Sequence, residues 1–285
     1  MLFKICAVIV TYNPDLDVLK KLTESIGKQV SKIVIVDNGT KEDIRKVIKS
    51  TSNLEILLMN KNLGIAEAQN IAVKNNFDNE ITHFIFFDQD SLPNSNLVST
   101  LIKDSKVLIE KNINIGVIGP KFVDSRNNFT YSKSDVIEEK TLIISSGSLI
   151  SKETFRKVGL MNKSFFIYHV DTEWCFRALN SGFRNFMSGN ALMKHTIGEN
   201  SKKIWFFKWI NISIHSPKSH YYIVRNSLVM MSYKEIPFKW KIKYFLKNIF
   251  FVGFYIFLGE NVKEYILEMY KGFNDGLRII KQGGV

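Results

Sequence analysis

The sequence predicts an α/β fold: a doubly wound, mostly parallel central sheet followed by a helical C-terminal extension. Three observations carry this reading. Strand-length apolar runs alternate with amphipathic helical stretches, joined by short loops, from Phe3 to Gly119. The fourth run, Phe84 to Phe87, has no polar alternation, as expected of a strand covered on both faces. The runs also end on polar groups, including Thr11, Asp37, Asp88 and Asp90. Open α/β sheets bind ligands beyond the C-terminal ends of their strands.

Phe3 to Val10 is the first strand, broken by Thr11-Tyr12-Asn13-Pro14. Leu16, Leu19, Leu22 and Ile26 mark a helix with Gly27 near its end. Lys32 to Val36 is a second strand ending on Asp37-Asn38-Gly39, and a helix is expected around Ile44, Val47 and Ile48. Leu54 to Met59 is a third strand and Ile65 to Phe77 a helix. The fourth strand stops on Asp88-Gln89-Asp90. Leu97, Leu101 and Leu108 line the next helix, and Gly116 to Gly119 is a short fifth strand. Val123 to Asp135 reads as loop, and Thr141 to Ile150 as a β-branched segment around Ser145-Ser146-Gly147-Ser148, where a backbone can approach a ligand closely. Ser151 caps a short helix through Phe155 and Val158, closed by Gly159. A further helix opens near Asp171, and Ser219 to Ser232 is helical.

Composition bounds the function. The chain has 285 residues, 45% of them hydrophobic and 13% aromatic, so it can bury a large core. Lys+Arg 39 against Asp+Glu 27 gives a formal charge of +12, which favours anionic partners. Cys6 and Cys175 sit in separate apolar patterns and read as reduced core residues. The apolar run Ile5 to Val10 is too short for a signal peptide. Neither G-x-G-x-x-G nor G-x-x-x-x-G-K-[ST] follows the first strand, so the usual dinucleotide and P-loop fingerprints are absent.

Four groups of residues have chemical readings. Asp88 and Asp90 form a D-x-D whose hard oxygens suit Mg2+ or Mn2+. The alternative is an Asp-rich turn before Pro93 and Asn94. Asp37 either takes a base N–H or a ribose hydroxyl, or is a turn residue in Asp-Asn-Gly. Asp171 falls at a helix N-terminus, where the dipole favours its charged form. It is either a functional carboxylate or an N-cap with Glu173 in the first turn. Arg225-Asn226 faces an anion or solvent, and His195, His215 and His220 have no spacing partners, which gives them a structural reading.

The C-terminal stretch is expected to be a separate extension, residues 233–285, after a main domain of residues 1–232. Phe238-Lys239-Trp240-Lys241-Ile242-Lys243-Tyr244 interleaves cations with rings, and Ile249 to Leu258 carries no charge. That apolar run is too short to span a bilayer, which takes about 20 residues. It is either an interfacial helix against anionic lipid or a core helix. No nucleic-acid-binding motif accompanies the basic residues, and no nucleic acid partner is expected.

Taken in order, Val10-Thr11-Tyr12-Asn13-Pro14, Val36-Asp37-Asn38, Asn62-Leu63-Gly64-Ile65-Ala66 with Asn70, and Phe87-Asp88-Gln89-Asp90-Ser91 resemble a family 2 glycosyltransferase of the GT-A fold, in its bacterial rhamnosyltransferase-like branch. Ser146-Gly147, Val170-Asp171-Thr172-Glu173-Trp174-Cys175 with Arg177, His195 with Gly198, and Tyr221-Tyr222 with Arg225-Asn226 continue the resemblance, which covers about residues 3–230. Each motif is weak alone; order and spacing make the set specific. Tyr168-His169 depart from the Asp-Trp often found in this branch, which bears on sugar or acceptor preference.

The resemblance implies an inverting transfer from a nucleotide sugar, dTDP-L-rhamnose or another hexose on UDP, with Mn2+ or Mg2+ as cofactor. It places Thr11, Tyr12, Asn13, Asp37, Asn38, Asn62, Gly64, Asn70, Asp88 and Gln89 around the donor. It assigns Asp88, Asp90 and His195 to the metal, Asp171 as general base, and Glu173, Trp174, Arg225 and Asn226 to the acceptor side. The implied acceptor is a lipid-linked saccharide, which would put the enzyme in the cytoplasm, peripheral on the inner face of the cell membrane. A nucleotidyltransferase would want a Gly-rich phosphate loop after the first strand, which is missing. A non-catalytic nucleotide-sugar-binding subunit of a synthase is disfavoured by the presence of Asp88, Asp90 and Asp171 together.

Overall fold

A computed structural model describes residues 3–124, 134–195, 200–206, 208–258 and 261–283. The chain forms two compact units, one of residues 1–166 and 170–195, the other of residues 167–169 and 196–285. The second unit takes in residues 196–232 together with the C-terminal stretch.

The first unit begins β1 (Ile5–Thr11), α1 (Leu16–Gly27), β2 (Lys32–Asp37), β3 (Leu54–Leu58), α2 (Ile65–Asn75) and β4 (His83–Asp88). It continues β5 (Leu92–Pro93), α3 (Leu97–Glu110), β6 (Ile115–Asp124), β7 (Glu138–Glu139), β8 (Leu149–Ser151), α4 (Lys152–Val158), α5 (Val170–Asn180) and β9 (Arg184–His195). These strands make one sheet in the order β3-β2-β1-β4-β8-β6-β9-β5, with β7 on β9. The long pairings β1–β2, β1–β4, β2–β3 and β6–β9 are parallel, and the short β5, β7 and β8 pair antiparallel.

Both faces of β4 are covered, as its unbroken apolar run requires. Ile85 and Phe87 join a core with Leu19, Leu22, Ile26 and Leu101 of the flanking helices. On the other face, Phe84 and Phe86 meet Phe155 edge-on, and Phe155 packs on Trp174. Burying a side chain of this size contributes about 1.5–3 kcal/mol. Register then aligns the strand ends: Thr11 lies opposite Asp37, and Val10 opposite Asp88. The polar end groups of β1, β2 and β4 therefore share one edge of the sheet.

Three expectations are revised. The helix around Ile44 is only a 3-10 turn, Ile44–Lys46, capped by Asp43, because Ile44 and Ile48 alone reach the core. The fifth strand runs on to Asp124, so Val123 is strand rather than loop, held by pairing with β9. The β-branched segment before Ser151 forms a strand only over its last residues, because Gly147 turns the chain with φ +74° beneath Pro120.

The second unit holds a hairpin of β10 (Asn200–Phe206) and β11 (Lys208–Ile214), then α6 (Pro217–Ser232), α7 (Phe238–Leu258) and α8 (Val262–Lys281). Helices α6 and α8 approach closely at Gly272, where a Cβ would lie 2.4 Å from the Tyr221 carbonyl oxygen. Among the described residues no helix is long and apolar enough to cross a membrane.

Candidate active site

The sheet edge is built by side chains that tie one strand end to the next. Thr11 Oγ1 donates to Asp37 Oδ1 at 2.8 Å, and the Thr40 backbone N–H and hydroxyl also donate to the Asp37 carboxylate. Asp37 is buried, and this set fixes the loop after β2. The Tyr12 N–H donates to Gln89 Oε1 at 2.8 Å, joining the loop after β1 to the D-x-D loop. Asn13 has φ 47° and donates its N–H to Thr40 Oγ1 at 3.0 Å.

Several residues placed around the donor by resemblance are spent on holding loops. Asn38 donates to Asn62 Oδ1 at 2.9 Å and accepts from the Leu63 N–H at 2.8 Å. Asn62 Oδ1 also accepts from the Gly64 N–H at 2.9 Å. Gly64 has φ +85°, and a Cβ there would sit 2.6 Å from Phe166, so the position requires glycine. Asn70 is buried and clamps Met161 through both its N–H and its carbonyl, each at 2.9 Å. These residues shape the site; Asn38 and Asn70 each spend their oxygen and one amide hydrogen on it, while the Asn62 NH2 keeps both donors for a ligand.

The carboxylates are brought together. Asp88, half-buried at the end of β4, has its carboxyl pushed up to about 6 by burial first, then by the charges of Asp90 and Asp171. No basic side chain offsets them among the described residues. Asp171 lies in the first turn of α5, where Oδ1 accepts from the Thr172 N–H at 2.7 Å and Oδ2 from the Ser145 N–H at 3.3 Å. Burial holds its carboxyl above the usual range despite those hydrogen bonds. The helix terminus was expected to favour its charged form; loss of solvation outweighs the dipole.

Crowded hard oxygens without a cationic side chain fit a hard divalent ion. Among the described residues there is no group of three or more His, Cys, Asp or Glu able to hold a metal. The resemblance takes its third group from His195, whose backbone ends β9 beside Lys194, the partner of Leu92 in β5. Its side chain lies outside the described residues.

Two of the residues expected on the acceptor side lie in the interior. Trp174 is 1% exposed, bonded through Nε1 to the Gly159 carbonyl at 2.9 Å, so it is a core residue. Glu173 is buried with both oxygens on Arg177, at 2.9 and 2.8 Å, and Arg177 also donates to the Val158 and Leu160 carbonyls. The sequence could not reveal this, because the same spacing serves an exposed or a buried helix face. Arg225 and Asn226 belong to α6 in the second unit. There Asn226 donates to the Ile167 and Tyr168 carbonyls at 2.8 and 2.9 Å, and its own oxygen takes the Arg225 Nε at 2.8 Å.

One residue was missed. Gln69 of α2 is buried and donates to Ser145 Oγ at 2.9 Å, and Ser145 holds Asp171. Its Oε1 is buried and has no hydrogen-bond partner. No motif flags it; only the packing of α2 on the Ser145 turn does. Cys6 and Cys175 are free and buried, each thiol pushed up to about 12 by burial, so neither is a nucleophile.

A Rossmann-like sheet with carboxylates gathered at its C-terminal edge is the arrangement of a GT-A glycosyltransferase. The chain belongs to glycosyltransferase family 2: the sequence model of Glycosyl transferase family 2 matches residues 6–184. It is an enzyme that transfers a sugar from a nucleotide-sugar donor. Among curated proteins it is 33% identical to the dTDP-rhamnosyl transferase RfbF of Shigella flexneri, over 98% of this chain and 97% of that one. Solved structures share the fold. Residues 1–349 of S. aureus TarS, in complex with UDP-GlcNAc, give a TM-score of 0.60 at 14% identity, over 99% of this chain and 93% of that one. GalNAc-T7 with UDP, GalNAc and Mn2+ gives 0.59 at 13% identity, over 99% of this chain and 59% of that one. A longer TarS structure gives 0.57 at 15% identity, and this chain spans 49% of it.

Proposed function

We propose that the chain is an inverting rhamnosyltransferase. It moves L-rhamnose from dTDP-L-rhamnose to a hydroxyl of a growing, lipid-linked surface saccharide. The observation that carries the donor is the end-to-end similarity to RfbF, whose name specifies dTDP-rhamnosyl transfer.

Asp171 is the general base. The acceptor oxygen bonds to the anomeric carbon as the bond to the diphosphate breaks, the electron pair leaves on the diphosphate, and the hydroxyl proton passes to Asp171. A carboxylate whose affinity for protons is raised by burial is a stronger base than an ordinary one, which suits this task. Asp88 and Asp90, with His195, would hold Mn2+ or Mg2+, which when bound supplies counter-charge for the leaving diphosphate. Asp37, fixed by Thr11 and Thr40, orders the edge where the nucleotide lies. Gln69 and Ser145 hold the turn behind Asp171.

Attachment to the inner face of the cell membrane is part of this reading. Helix α7 carries Lys239, Lys241, Lys243 and Lys247 and no acidic residue. Phe238, Ile242, Phe245, Leu246 and Ile249 of the same helix are exposed. Rings and aliphatic groups in a headgroup layer, with lysines on phosphates, match that pattern.

The test is nucleotide release from a panel of dTDP- and UDP-sugars with Mn2+, followed by the mass of the product. Release from dTDP-L-rhamnose with a gain of one deoxyhexose in the acceptor is expected, and EDTA should stop it. Preference for a UDP-hexose would overturn the donor assignment.

A further inference from the structure

The stretch before Asp171 is bent into unusual backbone. Phe166, Tyr168 and His169 have φ of 43°, 63° and 61°, and none is glycine. Bulky residues stay in the left-handed region only where their surroundings over-determine it. For residues 167–169 those surroundings are the helices of the second unit, although Phe166 and Val170 on either side belong to the first.

Asn226 is the centre of that arrangement. It is fully buried, and its amide nitrogen donates to the Ile167 and Tyr168 carbonyls at 2.8 and 2.9 Å. Its oxygen accepts from Arg225 Nε at 2.8 Å, and the Arg225 guanidinium lies 4.9 Å from the Tyr222 ring centre. Orientation of the amide is thereby set: Arg225 can only donate, so the oxygen faces Arg225 and the NH2 faces the strap. The His169 ring meets Trp240 and Tyr244 of α7 edge-on, with centroids at 5.5 and 4.8 Å, and these two rings stack on each other at 4.1 Å. Upstream, the Phe166 carbonyl accepts the Ile65 N–H at 2.6 Å, so the strap is pinned before it begins. Downstream, the chain passes through Val170 directly into Asp171.

We propose that Asn226 is a positioning residue for the transfer reaction. By holding the strap of residues 167–169, in which Tyr168 and His169 are left-handed, it fixes the direction in which the chain enters α5, and with it the place of the Asp171 carboxylate. This departs from a direct acceptor contact for Asn226, because both amide hydrogens and the oxygen are already engaged. The proposal rests on the reading of Asp171 as the base.

Steady-state transfer from dTDP-L-rhamnose to a synthetic octyl glycoside, with Mn2+, tests it, alongside dTDP affinity and melting temperature. Asn226→Ala should lower kcat by about 10–100-fold, the scale of a misplaced catalytic group, while dTDP affinity stays within about twofold. Tyr168→Gly in that background should recover part of the lost kcat, since glycine adopts positive φ without strain. A purely structural role predicts no such recovery at temperatures well below melting. His169→Asn serves if Asn226→Ala does not fold: it keeps a residue tolerant of left-handed backbone, removes the seat on Trp240 and Tyr244, and should also lower kcat with dTDP affinity kept. Unchanged kcat in a folded variant, or a loss carried entirely by dTDP affinity, overturns the proposal. Asp171→Asn is measured in parallel. If it retains normal turnover, the base assignment itself has failed; if it is inactive while Asn226→Ala is normal, only the positioning role has.

Discussion

The backbone N–H of Ser145 donates to Oδ2 of Asp171 at 3.3 Å, across a sequence separation of 26 residues. This contact fixes one carboxylate oxygen against the turn within the β-branched segment, and Thr172 fixes the other. Asp171→Asn keeps size and acceptor oxygen while removing the basic site. Turnover should fall by roughly 10²–10⁴ with nucleotide affinity nearly unchanged. One of the two N–H donors then faces an amide NH2, so the relief of a buried charge is offset by a lost hydrogen bond and melting temperature should change little. Turnover near normal would move the base elsewhere.

Asp88 gives a pH dependence with a definite sign. Burial pushes its folded carboxyl up to about 6, above the ordinary 3.8 of an aspartate. The metal-free fold therefore binds this proton more tightly than the unfolded chain does. Its contribution to stability is full below pH 3.8 and is lost as pH rises through about 6. A divalent cation needs the ionised form, so its stabilising effect should grow over the same interval. Melting curves with Mn2+ and with EDTA from pH 4.5 to 7.5 should diverge as pH rises. Parallel curves would remove Asp88 from the metal site.

For the same reason, Asp88→Asn should raise the melting temperature of the metal-free protein at pH 7.5 while abolishing transfer. It removes a charge that is half-buried beside Asp90 and Asp171. Calorimetry in EDTA reads this directly; a lower melting temperature would mean that the carboxylate is paired rather than repelled.

Arg177→Met isolates the structural role of Glu173. Glu173 would be left as an unpaired charge with its side chain only 7% exposed, and the Val158 and Leu160 carbonyls would lose a donor. Removing one partner of a buried pair costs about 3–5 kcal/mol. Denaturant titration should show that loss. A variant of unchanged stability with a raised acceptor KM would return these residues to the acceptor side.

Attachment through α7 is tested with Lys239→Glu and Lys243→Glu, both exposed. Lys241 is left alone because its ammonium donates to the Tyr233 carbonyl at 2.7 Å. At about 1 kcal/mol per basic residue, the pair should weaken binding to phosphatidylserine vesicles about 30-fold or more. Sedimentation with vesicles measures it, and unchanged binding would assign this face to another partner.

The sequence by itself determined the alternating α/β plan, because an apolar run such as Phe84 to Phe87 has no stable place except a strand covered on both faces. It also determined that carboxylates end those strands, since Asp88 and Asp90 follow the run directly. Tertiary structure decided what each polar residue does. Asn38 and Asn70 read as donor contacts, yet their oxygens and one amide hydrogen of each are taken by groups far away in the chain. Trp174 and Glu173 share a motif with Asp171, but α5 turns both into the interior while Ser145 takes Asp171. Gln69 was illegible because its partner lies 76 residues away. Local pattern reports backbone periodicity and turn chemistry. Burial, and with it the proton affinity of Asp88 and Asp171, depends on which distant segments exclude water from the same few ångströms, and only the folded chain sets that.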